Sequence, residues 1–290
     1  MSRQSARSEA TSGLLLIAPP AVYAVLLLAL PLAAVVAFSF WTQDFLTIDT
    51  TFTLQNYREA ITDPLYRQLM IRSVVISGAV TLATVLLAFP IAYFVSFSVA
   101  PSRKPLWIFL ITIPFWTSYL IRVFLWKVIL GYNGVLNSSL MGLGIIDEPL
   151  TFILYNANAV VITLAHAYAP FAILPIFVAL EKIDRSLLEA SRDLGESRFR
   201  TFFRVTLPLA MPGVVAAVLI VFIPTVGDYV TPRLVGGPGG LMIANMIQTE
   251  FLDLNNRPMG AALAVDAMTV VGLISLVFVL LNRRFLGERR

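Results

Sequence analysis

Three observations predict an all-α, polytopic membrane protein of six transmembrane helices with both termini on the inner side. Of 290 residues, 58% are hydrophobic and only 13% charged, with a mean hydropathy of +0.83; a soluble domain carries about 25% charged residues. Apolar runs of helix-spanning length recur along the chain, about 20 residues being what a hydrocarbon core of roughly 30 Å requires. The basic residues, finally, sort by membrane side.

The first apolar run, about 14–38, is too long for the hydrophobic region of a signal peptide and reads as a retained span. A mixed polar loop at 40–69 follows, carrying Asp44, Asp49, Glu59 and Asp63. The second and third spans lie at about 70–99 and 106–130, separated by Arg103 and Lys104. Residues 131–153 form an outer connection rich in turn-forming Asn and Gly, with the acidic pair Asp147–Glu148. The fourth span, about 154–180, leads into a charged island at 181–208, and the fifth span covers about 209–231. The segment 232–259 reads as an outer loop whose GGPGG at Gly236–Gly240 makes a turn; it lacks the Lys of a phosphate cradle. The sixth span, about 260–282, ends in a basic tail. No internal repeat, low-complexity tract or soluble domain interrupts this series, so residues 1–290 form one membrane domain.

With the N-terminus inside, fourteen of the 21 basic residues fall on inner segments. They are Arg3, Arg7, Arg103, Lys104, Lys182, Arg185, Arg192, Arg198, Arg200, Arg204, Arg283, Arg284, Arg289 and Arg290. The net charge of +4 therefore reports topology, and no nucleic-acid partner is implied. The absence of cysteine excludes disulfides and thiolate chemistry, and a single histidine, His166, excludes a His-clustered metal site. Neither a catalytic carboxylate pair nor a nucleophile–base pair stands out, which argues against an enzyme.

The island, EASRDLGESRFRTFFRVTLP at Glu189–Pro208, is anomalous in so apolar a chain. Ser186 with Glu189 three residues on matches a capping box and predicts a short helix. Gly195 stands where a left-handed residue would end that helix. Ser197 then caps a second helix whose Phe199, Phe202 and Phe203 share one face, opposed by Arg198, Arg200 and Arg204, and Pro208 opens the next span. Such a loop either sets topology by charge alone or docks an inner-side partner.

The spacing resembles the EAA loop of membrane subunits in ATP-binding-cassette (ABC) importers: Glu189-Ala190-Ser191, then Gly195, then Val205-Thr206-Leu207-Pro208, with Ser191 and Val205 as mild departures. Further stretches, FTLQNY at 52–57, DPLY at 63–66, PFWTSYLIR at 114–122, NGVLN at 133–137, LEASRDLG at 188–195 and GDYVTPRLVGG at 227–237, resemble the spermidine/putrescine permeases among type I importers. Related permeases for opines, phosphonates or other amines share parts of these motifs. The resemblance implies the type I importer permease fold and a bacterial inner-membrane location. It implies a cytoplasmic ATPase dimer gripping Glu189, Ala190 and Gly195, with Ser186, Ser191, Asp193, Leu194, Arg198 and Phe199 around them. It further implies a second permease chain, giving a heterodimer, and a periplasmic binding protein. No G-x-x-x-x-G-K-[ST] loop is present, so ATP and Mg are expected in the partner and no cofactor in this chain.

For a passing cation, the intramembrane acids are the candidates, since ionisable groups in spans face a cavity or a partner. Asp228 lies in IPTVGDYVTP, where Pro224, Gly227 and Pro232 interrupt the helix; it either attracts an ammonium, with Tyr229 adding an aromatic face, or caps the kink. Asp266 either faces the pathway or pairs with a basic residue of a neighbouring subunit. Trp116 and Tyr119 either stack on a cation or form an interfacial belt beside a snorkelling Arg122. His166 is expected in a helix–helix hydrogen bond. A stand-alone secondary transporter is the rival reading, and transport without ATP would favour it.

Overall fold

Backbone N–H and C=O groups find no water in a bilayer core, so a chain of long apolar runs must fold as helices. The structure, a computed structural model, describes residues 3–45 and 47–286; Arg289 and Arg290, counted in the basic balance above, lie outside the described residues. In chain order the elements are α1 (Arg3–Ser39), a hairpin of β1 (Thr42–Asp44) and β2 (Thr47–Asp49), α2 (Gln55–Thr62) and α3 (Pro64–Phe97). Then come α4 (Lys104–Thr112), α5 (Tyr119–Ile129), α6 (Val135–Gly142), α7 (Ala157–Glu181), α8 (Arg185–Asp193), α9 (Arg198–Thr201) and α10 (Leu207–Val226). The chain closes with α11 (Gly237–Gly240), α12 (Ile243–Gln248), α13 (Arg257–Leu281) and α14 (Arg283–Leu286). Among the described residues, five helices are long and apolar enough to cross a membrane, or six if one bent pair counts as a span.

Two compact units are present, one of Met1–Asp63 with Thr249–Asp266, the other of Pro64–Gln248 with Ala267–Arg290. In the first, β1 and β2 pair antiparallel, Thr42 opposite Asp49. Asn56 donates to the carbonyls of Ser39 (3.1 Å) and Trp41 (2.7 Å), closing the turn after α1. Gln43 clasps the chain near its other end, donating to Asn255 O at 2.6 Å and accepting from Arg257 N at 3.2 Å. The side chains of α1 from Leu16 to Leu32 are exposed throughout.

The second unit is built on α3, α7 and α10. Lipid tails are as apolar as leucine, so helices in a membrane associate through close packing, and small residues allow it. Ala88 and Ala92 of α3, Ala159 and Ala172 of α7, and Ala210 and Ala217 of α10 are buried accordingly, filled in by Val80, Leu164, Ile176 and Val221. The closest approach is at Gly213 on α10, where a Cβ would stand 2.5 Å from both the Ala179 Cβ and the Pro175 carbonyl of α7. At the start of α7, Asn156 Oδ1 accepts from Asn158 N and Ala159 N (2.9 and 3.1 Å), satisfying the open first turn.

Three expectations need correction. The run 106–130 is not one straight span: the helical stretch Pro101–Trp116 and α5 meet at 87°. Pro114 removes a backbone donor there, and Thr117 and Ser118 are extended. The fifth span does not begin at Pro208: helix runs from Arg198 to Val226, through a π segment at Phe202–Thr206 just before that proline. The π turn closes with Leu207 N donating to Phe202 O, one residue before the proline, which has no N–H to give. The segment 232–259 is not an open loop. Thr231, Val235, Met242, Ile243 and Asn245 are buried, and Gly237–Gly240 forms α11 rather than a bare turn. Its backbone is held from α3, with Ser73 Oγ accepting from Ile243 N (2.7 Å) and Arg72 donating to Pro238 O (3.0 Å).

Because Gly213 leaves no room for a side chain, Gly213→Leu forces α7 and α10 apart. Overpacking of this kind costs about 1–3 kcal/mol, read as a lower unfolding temperature in detergent and a smaller folded yield. An unchanged melting curve would mean that the two helices do not pack at this distance.

Candidate functional site

Two constellations carry the chain's unusual chemistry: the charged island and a buried carboxylate. In the island, α8 is capped by Asp184, whose carboxylate accepts from Ser186 N at 3.0 Å. Ser186 is therefore inside the helix and the expected capping box with Glu189 does not form; the Asp184 carboxylate takes the Ser186 N–H that the box would give to the Glu189 side chain. That same backbone N–H of Ser186 holds the Asp184 carboxyl below its ordinary value. Gly195 takes the left-handed backbone at φ +83°, ending the helix where the pattern placed it. Ser197 caps α9, its Oγ accepting from Arg200 N at 3.3 Å.

The two short helices are tied together. Ser191 Oγ bonds Thr201 Oγ1 at 3.0 Å, which gives the departure from alanine at 191 a physical partner. Glu196 bridges to Arg204 and lies 3.8 Å from Arg200. The aromatic stripe divides: Phe202 packs edge-on against Phe89 and Tyr93 of α3, while Phe199 and Phe203 stack on each other outside. Leu188 is buried, whereas Glu189, Ala190, Asp193, Leu194, Arg198 and Phe199 share the exposed surface. Leu194 at 85% and Phe199 at 72% are more exposed than isolated apolar side chains on a polar island need be; such a patch marks an interaction site.

A staple below the island escaped sequence reasoning. Glu181 Oε1, at the end of α7, accepts from Lys104 Nζ and from Ser96 Oγ, each at 2.6 Å. Arg185, the first residue of α8, donates to Ser96 O at 3.2 Å and lies over the Phe97 ring at 5.9 Å. The ends of α3, α4 and α7 are thus joined to the root of α8. Lys104 and Arg185 entered the sequence reading only as topological charges, and nothing local pairs them with residues some 80 positions away.

The second constellation forms where two helices break. Asp228 follows the end of α10 and is 8% exposed. Its Oδ1 accepts from Val230 N (2.9 Å) and Thr231 N (3.2 Å), capping the helical segment that follows, and its Oδ2 accepts from Tyr119 OH. Tyr119 OH also bonds Thr231 Oγ1 at 2.6 Å. Tyr119 opens α5 immediately after the 87° bend, so one phenol joins both breaks. Arg122 does not snorkel. Its guanidinium sits 5.9 Å from the Tyr119 ring centre and donates to Ala167 O at 3.4 Å, and the residue is half-buried. His166 makes the expected interhelical bond, Nδ1 accepting from Trp126 Nε1 at 3.1 Å.

Of the expected pathway residues, Tyr119 and Asp228 come together. Trp116 stands apart, 75% exposed with its edge on Phe109. Tyr229 is exposed, and its carbonyl accepts from Asn245 at 2.8 Å. Asp266 is half-buried on α13, in the other unit. Thr231 and Asn245 were missed; the clustering of Thr231 with Asp228 in one turn was the available signal.

Comparison with known proteins matches this architecture. A family model described as "Binding-protein-dependent transport system inner membrane component" covers residues 12–287. The spermidine/putrescine transport system permease protein PotB of Escherichia coli (strain K12) is 38% identical over 255 residues, 88% of this chain and 92% of that protein. Its namesake in Haemophilus influenzae is 40% identical over 260 residues, covering 88% and 90%. The crystal structure of a bacterial ABC transporter involved in the import of the acidic polysaccharide alginate superposes with a TM-score of 0.72 at 16% identity, over 98% of this chain and 99% of that one. That last likeness speaks for the fold alone. A match along nearly the whole chain, to proteins built on the same helices, leads to one conclusion: this chain belongs to the binding-protein-dependent transport family, as a permease subunit of an ABC-type importer.

Proposed function

We propose that the chain is the permease of a polyamine importer, taking spermidine, putrescine or a close amine inward across a bacterial inner membrane. The observation that carries this reading is the 38–40% identity, over 88% of the chain, to permeases named for spermidine and putrescine. The family's division of labour puts ATP hydrolysis in a separate cytoplasmic subunit and substrate capture in a periplasmic binding protein. In this reading both termini and the island are cytoplasmic, the bent pair completes six spans, and a second, similar permease supplies the other half of the pathway. Alternating access replaces covalent chemistry.

The exposed surface of Glu189, Ala190, Asp193, Leu194, Gly195, Arg198 and Phe199 is the contact for the ATPase, with Ser186 and Ser191 shaping it from within. Asp228 serves as a cation contact, where Tyr119 OH exchanges places with a substrate ammonium; Tyr229 and Trp116 are further contacts for the cation, and Asp266 is a separate candidate on α13. A substrate ammonium would reach this carboxyl at the cost of one of its three hydrogen bonds.

The cargo is tested in the reconstituted complex by binding-protein-stimulated ATPase activity. Putrescine or spermidine is expected to stimulate while unrelated organic cations do not; a flat response to both polyamines rejects them as cargo. Glu189→Lys places a like charge or an unpaired one in the docking surface, a change worth several kcal/mol at an interface. Uptake is expected to fall by at least about tenfold with membrane insertion intact, and undiminished uptake would remove Glu189 from the contact. Asp228→Asn keeps a capping oxygen but deletes the charge. The half-saturating polyamine concentration is expected to rise about tenfold, equivalent to about 1.4 kcal/mol; an unaltered curve leaves Asp228 with its capping role only.

A further inference from the structure

An apolar cavity in the second unit lies between α3, α10 and the end of α13, with a volume of about 420 Å³. Its walls are Leu82 and Val85 of α3, Met211 and Val218 of α10, and Ile274 and Phe278 of α13. Thr81, also at its edge, spends its hydroxyl on the Ser77 carbonyl at 2.7 Å; Ser275 Oγ, buried without a hydrogen-bond partner, and Asn282 are the other polar side chains of an otherwise apolar lining.

Its dimensions select an occupant. From Met211 to Phe222 it follows about 16 Å of helix, half of a hydrocarbon core of roughly 30 Å. It starts at the island end of the spans, where α10 begins and α13 ends. Spread over that length, the room for water centres averages about 26 Å² in cross-section, which makes the groove about 8 Å from wall to wall. A helix with side chains is about 10–12 Å wide and does not fit; an extended hydrocarbon chain does. The depth is that of one leaflet.

The mouth is basic. Asn282 lines it, and Arg283 and Arg284 follow at once on α14, both exposed, with the Arg284 guanidinium stacked 4.6 Å from the Phe285 ring centre. α14 lies beside α10, so these charges flank the opening. Guanidinium groups match phosphate geometry, and basic pockets between membrane helices bind anionic headgroups. At the opposite end Gly78 leaves the cavity open, since a Cβ there would meet no atom within 4 Å.

We propose that this groove is a phospholipid site, taking one acyl chain of an anionic lipid whose phosphate is held by Arg283 and Arg284. The lipid fills the space between α13 and the α3–α10 pair, and it does so whichever cargo the transporter carries. Its headgroup belongs to the leaflet on the island side.

The assembled transporter, reconstituted in equimolar phosphatidylethanolamine and phosphatidylglycerol vesicles and re-extracted in mild detergent, is examined by native mass spectrometry. Wild type is expected to retain phosphatidylglycerol in preference to phosphatidylethanolamine. Arg283→Gln with Arg284→Gln, both solvent-exposed, is expected to abolish that preference. Gly78→Leu grows into empty space on a residue well suited to helix and is expected to lower retention of both lipids severalfold with an unchanged melting temperature. Equal retention of the two lipids by wild type, or an undiminished preference in the arginine variant, overturns the proposal. A photo-crosslinker replacing Val218 in the otherwise native complex supplies an independent reading: capture of lipid supports the site, and capture of another protein chain overturns it.

Discussion

A helix broken inside an apolar span exposes amide groups that the bilayer cannot satisfy, and each such group costs several kcal/mol unless the protein supplies a partner. This chain breaks two helices, at Thr117–Ser118 and at Gly227–Asp228, and one carboxylate satisfies amides after the second break while a phenol ties it to the first. Asp228 accepts the N–H groups of Val230 and Thr231 and the Tyr119 phenol, so the ends of α5 and α10 are held in a single polar node. Much else follows from it. The segment after Asp228 can fold back as buried helix because its first turn is capped, and Asn245 then locks it by reaching the Tyr229 carbonyl. A buried, internally bonded carboxylate thus acts as a strut between the two breaks.

The same node lies at the far end of an unbroken helix from the island. Arg198–Val226 is continuous through its π segment, 29 residues long, or about 43 Å at 1.5 Å per residue. Phe199 at one end is exposed and Asp228 lies just beyond the other. At the island end Ser191–Thr201 fixes α8 to this rod, and Arg185, Ser96, Glu181 and Lys104 fix α8 to the ends of α3, α7 and α4. A displacement imposed on the island therefore has a stiff path to the break at Gly227, and close α7–α10 packing at Gly213 makes those two helices move together. The phospholipid groove sits on the other side of α10, where packing is incomplete and a lipid chain can take the place of protein.

Much was legible from residues alone where the cause is local. Hydropathy and length identify the spans, because crossing a bilayer imposes a run of apolar residues on the chain itself. Gly195 was legible because a left-handed turn selects glycine, and Ser197 because a cap lies within three residues of what it caps. Capping also shows the limit of such reading: Ser186 fitted the pattern, but Asp184, two positions earlier, takes the Ser186 N–H that the pattern assigns to Glu189.

By itself, then, the sequence determined that this chain is a bundle of membrane helices and that one charged island interrupts it; each follows from composition or from intervals of a few residues, which the covalent chain carries unaided. The importer reading of that island came from its resemblance to a known family. Tertiary structure alone decided that the third run bends by 87°, that α9 runs through Pro208 into α10, and that residues 230–253 are packed rather than looped. It also decided that Tyr119 meets Asp228 across 109 positions and Lys104 meets Glu181 across 77. Those pairings depend on which helix faces lie together in space, and no local interval encodes that.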